Sequence, residues 1–219
     1  MEELSQENFY EEYAPTIEEV SIKKNHHSYY SFFKRSLDLF LVILSLPIVT
    51  VIIFIFSIII KLESPGSAFY VQERVGLNGK YFNVIKLRSM RNNAEKNGPK
   101  WATENDPRIT KVGGFIRKTR IDELPQLFNV LKGDMSLIGP RPERPVFTVE
   151  FTKNMPEFTA RLAVKPGLTG WAQVNGGYDI TPKEKLKLDL YYIEHKSLRL
   201  DLIIIMKTLK VVLTGDGAR

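Results

Sequence analysis

The sequence predicts an α+β, mainly helical fold: a small domain containing a β-hairpin, mounted on one N-terminal membrane helix. Three observations carry that prediction. Leu39 to Ile60 is a run of 22 residues without a charge, enough for ~33 Å of straight helix and so for a bilayer crossing. Ala68 to Val75 and Lys80 to Leu87 alternate apolar and polar residues around Leu77-Asn78-Gly79, the pattern of a hairpin closed by an Asn-Gly turn. Beyond Arg117 the apolar residues return at helical spacing, most clearly at Leu124, Leu127, Phe128 and Leu131.

Composition narrows the chemistry. The 219 residues contain no Cys, and their three His are His26, His27 and His195. A disulfide framework and a zinc site are therefore excluded, and any metal must be a hard ion held by oxygen. The net charge of +6 conceals an asymmetry: residues 1–22 carry seven Glu and no Lys or Arg, so the remainder carries +6 − (−7) = +13. A basic body of that kind suits anionic phosphates, lipid headgroups or nucleic acid.

Residues 1–22 lack helical or strand periodicity and read as an acidic mobile tail. Lys23 to Asp38 mixes cations with Tyr29, Tyr30, Phe32 and Phe33, a composition suited to a membrane interface, so 23–62 forms an interfacial segment and a membrane-inserted helix. Within it, Ser45 and Pro47 interrupt the apolar run, and Pro47 should kink the helix. Basic residues flank both ends, Lys34 and Arg35 before and Lys61 after, and on hydropathy alone the segment reads as an ordinary spanning helix.

Residues 63–219 form the third unit. Lys86 and Arg88 lie two apart on the second hairpin strand and share one face, either as a solvated edge or as part of a site. Arg91 to Asp106 is polar, contains Gly98-Pro99 and reads as an irregular connection or short helix, with Trp101 as a local core residue.

Arg117 to Pro142 is the most informative stretch. Pro125 is tolerated only in a first helical turn, which puts the helix start near Asp122, and Gly133 sits where a left-handed stop is wanted. Asp122 and Glu123 therefore fall at the positive end of a helix dipole, a place that also attracts phosphate. As a helix start alone, an N-cap Asp and a first-turn Glu explain the pair. They do not explain the company, because Arg117, Lys118 and Arg120 crowd the entry and Arg141 returns between Pro140 and Pro142. That much fixed positive charge suits a diphosphate.

Further on, Arg161 to Gly177, which carries Lys165-Pro-Gly-Leu-Thr-Gly-Trp171, is too rich in Gly and Pro for a long helix and reads as a loop, lining a sugar or nucleotide pocket or lying on the surface. Pro182 to Lys196 reads as a helix with Leu186, Leu190 and Ile193 on one side. Leu200 to Leu213 is apolar but carries Asp201, Lys207 and Lys210, which makes it an amphipathic helix packed on the domain with partial membrane contact. No Gly-x-x-x-x-Gly-Lys-Ser/Thr, Gly-x-Gly-x-x-Gly or Asp-x-Asp occurs, so the common nucleotide-binding and metal-dependent glycosyltransferase signatures are missing.

The run from Asp122-Glu123-Leu-Pro125 through Gly133-Asp-Met-Ser-Leu-Ile-Gly139-Pro140-Arg141-Pro142 resembles the core of the bacterial sugar transferases, the monotopic polyprenyl-phosphate phosphoglycosyl transferases. Asp106-Pro-Arg-Ile-Thr and Lys165-Pro-Gly-Leu-Thr-Gly resemble further elements of that family, the latter in its longer members that start capsular or exopolysaccharide units. The resemblance implies a cytoplasmic catalytic domain on a re-entrant helix that bends at a Ser/Pro break, here Ser45 and Pro47 with Leu46 between them. It implies transfer of a sugar 1-phosphate from a UDP-sugar to undecaprenyl phosphate at the bacterial inner membrane, through a covalent phosphosugar–aspartate. Asp122 is then the nucleophile and Glu123 a proton or metal partner. Lys86, Arg88, Arg117 and Arg141 bind phosphate, and Mg²⁺ is the cofactor, with Asp122 and Glu123 as its ligands. The implied partners are the UDP-sugar, undecaprenyl phosphate and membrane lipids, with a homodimer as a candidate assembly. The rival from another class is a non-catalytic membrane adaptor that recruits glycan-assembly proteins, disfavoured because an adaptor need not keep the dyad or Pro140-Arg141-Pro142. Nucleic-acid binding is not expected, since the apolar segment places the chain at a membrane and no recognition motif occurs.

Overall fold

The computed structural model describes residues 28–96, 98, 103, 106–176 and 180–214. The acidic tail and Trp101, on which sequence expectations fall, lie outside them. The first element is helix α1, Ser28–Glu63, which runs on through Pro47 without leaving helical conformation. Ser45 Oγ donates to the Val42 carbonyl at 2.8 Å, one turn before the proline.

Two faces of α1 differ sharply. Val42, Val49, Ile53 and Ile60, at helical spacing, are buried in one core with Val84, Ile116, Val130 and Met135. Phe40, Leu44, Ile48 and Phe54 on the other side are each more than 60 % exposed. An apolar surface of that extent on a helix of this length marks a lipid-facing element rather than a soluble core helix. The ends of α1 are polar and gripped. Arg35 donates to the carbonyls of Val130 and Leu131 at 2.7 and 3.0 Å. Asp38 is buried and accepts from Ser136 Oγ at 2.7 Å and the Leu137 N–H at 3.3 Å. At the far end Glu63 accepts the Val112 N–H at 3.1 Å.

The expected hairpin is present. Strands β1, Phe69–Val75, and β2, Tyr81–Leu87, pair antiparallel from Phe69 opposite Leu87 to Val75 opposite Tyr81. The turn is a short 3₁₀ segment, Leu77–Gly79, with Asn78 at φ 54°. A positive φ is tolerated better by Asn than by most residues, because its side chain bonds locally. Helix α2, Lys111–Lys118, comes next, N-capped by Thr110, whose hydroxyl accepts the Gly113 N–H at 2.9 Å.

The predicted helix start at Asp122 needs correction in its form. Ile121–Gln126 is a 3₁₀ turn, and the α-helix proper, α3, is Leu127–Lys132. Three residues per turn instead of 3.6 rotates the phase of the α-helix beyond it. The buried residues are consequently Leu127, Asn129 and Val130, while Phe128, expected inside, is exposed. Gly133 ends α3 at φ 97°, the left-handed stop the sequence implied.

Strand β3, Ser136–Ile138, leads into Gly139-Pro140-Arg141-Pro142 and then helix α4, Pro145–Asn154. A 3₁₀ segment, Pro156–Ala163, connects to strand β4, Gly167–Thr169, which pairs parallel with β3. Within the stretch expected as a loop, the described residues 165–176 thus hold this strand and a short helix, α5, Trp171–Asn175. Glycines permit the junction: a Cβ on Gly139 would lie 2.4 Å from the Lys165 carbonyl oxygen, and one on Gly167 would lie 2.0 Å from the Gly139 nitrogen.

Helix α6, Pro182–His195, opens with a capping box between Thr181 and Glu184. Helix α7, Leu198–Thr214, packs Leu200 and Ile204 against Ile138, Tyr192 and Ile193. Its Asp201, expected as one of the charges on an amphipathic surface, points inward and is buried. It accepts from Tyr30 Oη at 2.9 Å, Tyr192 Oη at 3.0 Å and Lys34 Nζ at 3.2 Å, which ties α7 and α6 to α1. Leu202, Met206, Leu209 and Leu213 on the other side of α7 are exposed.

Candidate active site

Three chain segments converge on one point. Strand β2 delivers Lys86, the 3₁₀ turn delivers Asp122 and Glu123, and the segment after β3 delivers Arg141. The backbone is bent sharply just before the dyad, where Arg120 adopts φ 60° and ψ 13°. A non-glycine residue in that region costs free energy, and such positions cluster where function fixes the geometry. The result is that both carboxylates are turned inward and buried.

They are treated very differently. Glu123 Oε1 accepts from Lys86 Nζ at 3.1 Å, and Arg141 meets both Glu123 oxygens, Nη1 on Oε2 at 3.3 Å and Nη2 on Oε1. Burial by itself would raise its carboxyl, but Arg141 and Lys86 outweigh burial and hold Glu123 well below the usual carboxylate range. Asp122 has no ion pair and no side-chain hydrogen bond among the described residues. Burial, then the neighbouring charge of Glu123, pushes it up to about 6, against the pull of Lys86, Arg117 and Arg141. Glu123 is thus a fixed anion that anchors two cations, and Asp122 is an uncommitted carboxylate beside them.

Both carboxylates open onto a cavity of about 460 Å³. Lys86, Arg117, Arg120 and Arg141 line it on the side of the dyad, and Tyr70, Arg144, Phe147, Gln173 and Lys185 extend it beyond. A cleft with convergent cations and two apposed carboxylates is a site for an anionic substrate.

Comparison with known proteins agrees. The family model described as bacterial sugar transferase matches residues 29–215. This chain belongs to the bacterial sugar transferase family. It is 46 % identical over 193 residues to the UDP-N-acetylgalactosamine-undecaprenyl-phosphate N-acetylgalactosaminephosphotransferase of Aeromonas hydrophila, covering 87 % of this chain and 46 % of that protein. It is 59 % identical over 133 residues to a putative undecaprenyl-phosphate N-acetylgalactosaminyl 1-phosphate transferase of Bacillus subtilis, covering 61 % of this chain and 74 % of that one. With the UDP-glucose:undecaprenyl-phosphate glucose-1-phosphate transferase of Caulobacter vibrioides it shares 41 % over 192 residues, 84 % of this chain and 71 % of that protein. The chain spans about half the length of the Aeromonas relative.

Of the residues expected in a sugar transferase site, Asp122, Glu123, Lys86 and Arg141 come together, and Arg117 joins the cavity wall. Arg88 differs from the expectation. It lies just past the end of β2, and its guanidinium donates to the Pro65 carbonyl at 2.6 Å and the Ser64 carbonyl and hydroxyl at 2.8 and 3.0 Å. Its donors are therefore turned to the segment that ends α1, and it acts as a clamp there although it borders the cavity. Ser45 and Pro47 stay in the middle of α1.

The donor set bears on the expected Mg²⁺. Among the described residues no group of three or more His, Asp or Glu could hold a metal. Glu123, one of the two expected ligands, has both oxygens engaged by cations. Only Asp122 of the pair is uncommitted, which fits an ion held by one carboxylate and by substrate phosphates, the usual mode for Mg²⁺, and not a protein cage.

Behind Arg141 lies a second charged group that the sequence reading missed. Glu143 meets Lys185 and lies 3.8 Å from Arg161, while Arg161 donates to Asp189 through Nε at 3.1 Å and Nη2 at 2.7 Å. Lys185 and Asp189 stand four apart on α6, and that spacing was the one available signal.

Proposed function

We propose that this protein transfers a sugar 1-phosphate from a UDP-sugar to undecaprenyl phosphate, releasing UMP and forming a polyprenyl diphosphate sugar. The observation that carries the reading is the uncommitted Asp122, a buried carboxylate that stays without a partner beside three cations. At neutral pH a group held at about 6 is mostly ionised, and its desolvation makes it a better nucleophile than a paired carboxylate. An adaptor has no use for such a group.

In the first step an Asp122 oxygen attacks the β-phosphorus, a new P–O bond forms, and the bond from that phosphorus to the bridging oxygen breaks with its electron pair leaving on UMP. In the second, an oxygen of undecaprenyl phosphate attacks the phosphosugar–aspartate, and the Asp122 carboxylate leaves intact. Lys86 and Arg141, locked by Glu123, present fixed positive charge without needing to reorganise, and Arg141 adds a planar fork suited to phosphate oxygens. Arg117 adds to this field. Asp122 would hold Mg²⁺ together with the substrate's phosphates, and the ion would supply charge neutralisation there. The relatives are named for N-acetylgalactosamine and for glucose, so the sugar itself is left to experiment.

The reading places the domain on the cytoplasmic face of the inner membrane, with α1 entering and leaving the bilayer on one side. The grips at both ends of α1 support that topology. Arg35 and Asp38 near its start and Glu63 at its end all bind the same domain, whereas a spanning helix would put its ends on opposite faces. Such an anchor holds Asp122 at the depth of a polyprenyl phosphate headgroup.

The test is UMP release by purified protein with Mg²⁺, undecaprenyl phosphate and a panel of UDP-sugars, with Asp122→Asn in parallel. Release with one sugar, lowered at least about 1,000-fold in the variant, together with a radiolabelled protein adduct formed only by wild type, is the expected result. An adduct that persists in Asp122→Asn would remove Asp122 as nucleophile. Absence of release with every sugar from folded, lipid-supplied protein would defeat the reaction.

A further inference from the structure

Arg141 is held from its front by Glu123, but the direction of its side chain also depends on its backbone, and prolines on both sides leave that backbone few hydrogen bonds of its own. The Arg141 carbonyl is taken by Arg161, whose Nη2 donates to it at 2.7 Å. Arg161 is itself 3 % exposed and held by Asp189 through Nε and Nη2, with its guanidinium carbon 4.8 Å from the centre of the Phe158 ring. Next along the chain, Arg74 Nη1 donates to the Pro142 carbonyl at 3.2 Å, and the Val75 N–H donates to the Glu143 carbonyl at 2.9 Å. Three successive carbonyls of the arginine-bearing segment are thus fixed from behind.

We infer that Arg161, held by Asp189 of α6, is a positioning residue for Arg141: it sets the angle at which the Arg141 guanidinium enters the cavity. The inference rests on the proposed reaction for its kinetic consequence, though not for its structural one. A buried ion pair between Arg161 and a carboxylate would stabilise the fold whichever way it pointed. A purely structural pair, however, has no need of a bond to the backbone of a site residue. The planar guanidinium bonds Asp189 and the Arg141 carbonyl at once, and a lysine ammonium at the same position can reach one or the other but does not reproduce that fork.

Two readouts on the full chain in lipid nanodiscs separate a positioning role from a merely structural one. Hydrogen exchange of peptides covering residues 139–144 reports the segment directly, with the hairpin at residues 69–87 as an internal control against global loosening. In Arg161→Lys, exchange at residues 139–144 should rise about tenfold while the hairpin stays unchanged, as expected for loss of one charge-assisted hydrogen bond. In steady-state UMP release, kcat should fall about 100-fold with KM within about threefold, the pattern of a displaced group that acts in the transition state. The double variant with Arg141→Lys should be no slower than Arg141→Lys alone, because both changes spoil the same contact. Asp189→Asn, which keeps an acceptor oxygen and removes only charge, should move both readouts in the same direction by less. It carries the test if Arg161→Lys does not fold. Exchange at residues 139–144 within about twofold of wild type, or losses that multiply in the double variant, would overturn the inference. Wild-type protein without turnover would defeat the proposed reaction alone, since exchange still decides whether Arg161 holds the segment.

Discussion

Two charged clusters lie on either side of the segment carrying Arg141, and they are built on opposite terms. Behind it, Glu143, Lys185, Arg161 and Asp189 form a buried group in which each anion faces a cation. In front of it, Glu123 takes two cations for itself and Asp122 is left with none. A balanced buried cluster maintains geometry; an unbalanced one keeps a group in a state that a substrate can complete. The rear cluster raises no expectation of chemistry although it is the more deeply buried, and the front cluster does because one member is unsatisfied.

The comparison breaks most visibly under substitution. Asp189→Ala leaves Arg161 buried without its carboxylate and should cost roughly 3–5 kcal/mol in denaturant unfolding. Asp122→Asn removes a buried carboxylate that has no partner to lose and whose ionisation works against folding, so at neutral pH it should leave the protein at least as stable as wild type while turnover disappears. Equal destabilisation by the two would mean that Asp122 has a partner in the folded protein after all.

Acid titration contrasts one carboxylate from each cluster, because Asp122 in front and Glu143 behind respond with opposite sign. Asp122 is raised from 3.8 to about 6, so its ionisation works against folding, and that cost develops as pH rises from 3.8 through about 6. Glu143 is lowered from 4.5 to about 2, so its contribution is fully present above pH 4.5 and is lost as pH falls towards 2. If Asp122 acts as proposed, kcat/KM should fall about tenfold per pH unit below about 6, as its carboxylate takes a proton. Glu123→Gln takes away a neighbouring negative charge and should move that limb to lower pH; a limb that stays put would assign it to another group.

The smallest effect is expected where α1 meets the domain. Asp38→Asn keeps the shape but weakens the bonds to Ser136 and Leu137, and should cost about 1–2 kcal/mol with little change in kcat. A large loss of turnover would mean that the grip on α1 is transmitted along β3 to Arg141.

Much of this molecule was written locally. The membrane helix, the hairpin register and the stop at Gly133 each arise from interactions within a few residues: continuous apolarity, strict alternation, and a position that requires positive φ. The dyad was visible because Asp122-Glu123 and Pro140-Arg141-Pro142 are contiguous strings. The surroundings of individual side chains were not legible. Phe128 is exposed because a 3₁₀ turn precedes α3 and shifts its phase, and nothing in residues 124–131 announces that change of pitch. Arg88 borders the cavity but gives its donors to the end of α1, which offers it carbonyls, a fact fixed by segments more than twenty residues away. Asp201 reads as a surface charge until Tyr30, Lys34 and Tyr192 are brought around it.

The sequence by itself therefore determined the long apolar helix, the hairpin and the stop at Gly133, and it singled out the candidate site groups, since propensity, capping and periodicity act over short range. Which carboxylate is paired and which is not was decided by the tertiary structure alone. Adjacent residues share nearly the same sequence environment. Only the approach of Lys86 from the hairpin and of Arg141 from the segment after β3 distinguishes Glu123 from Asp122, and Coulomb energy depends on distance in space and not along the chain.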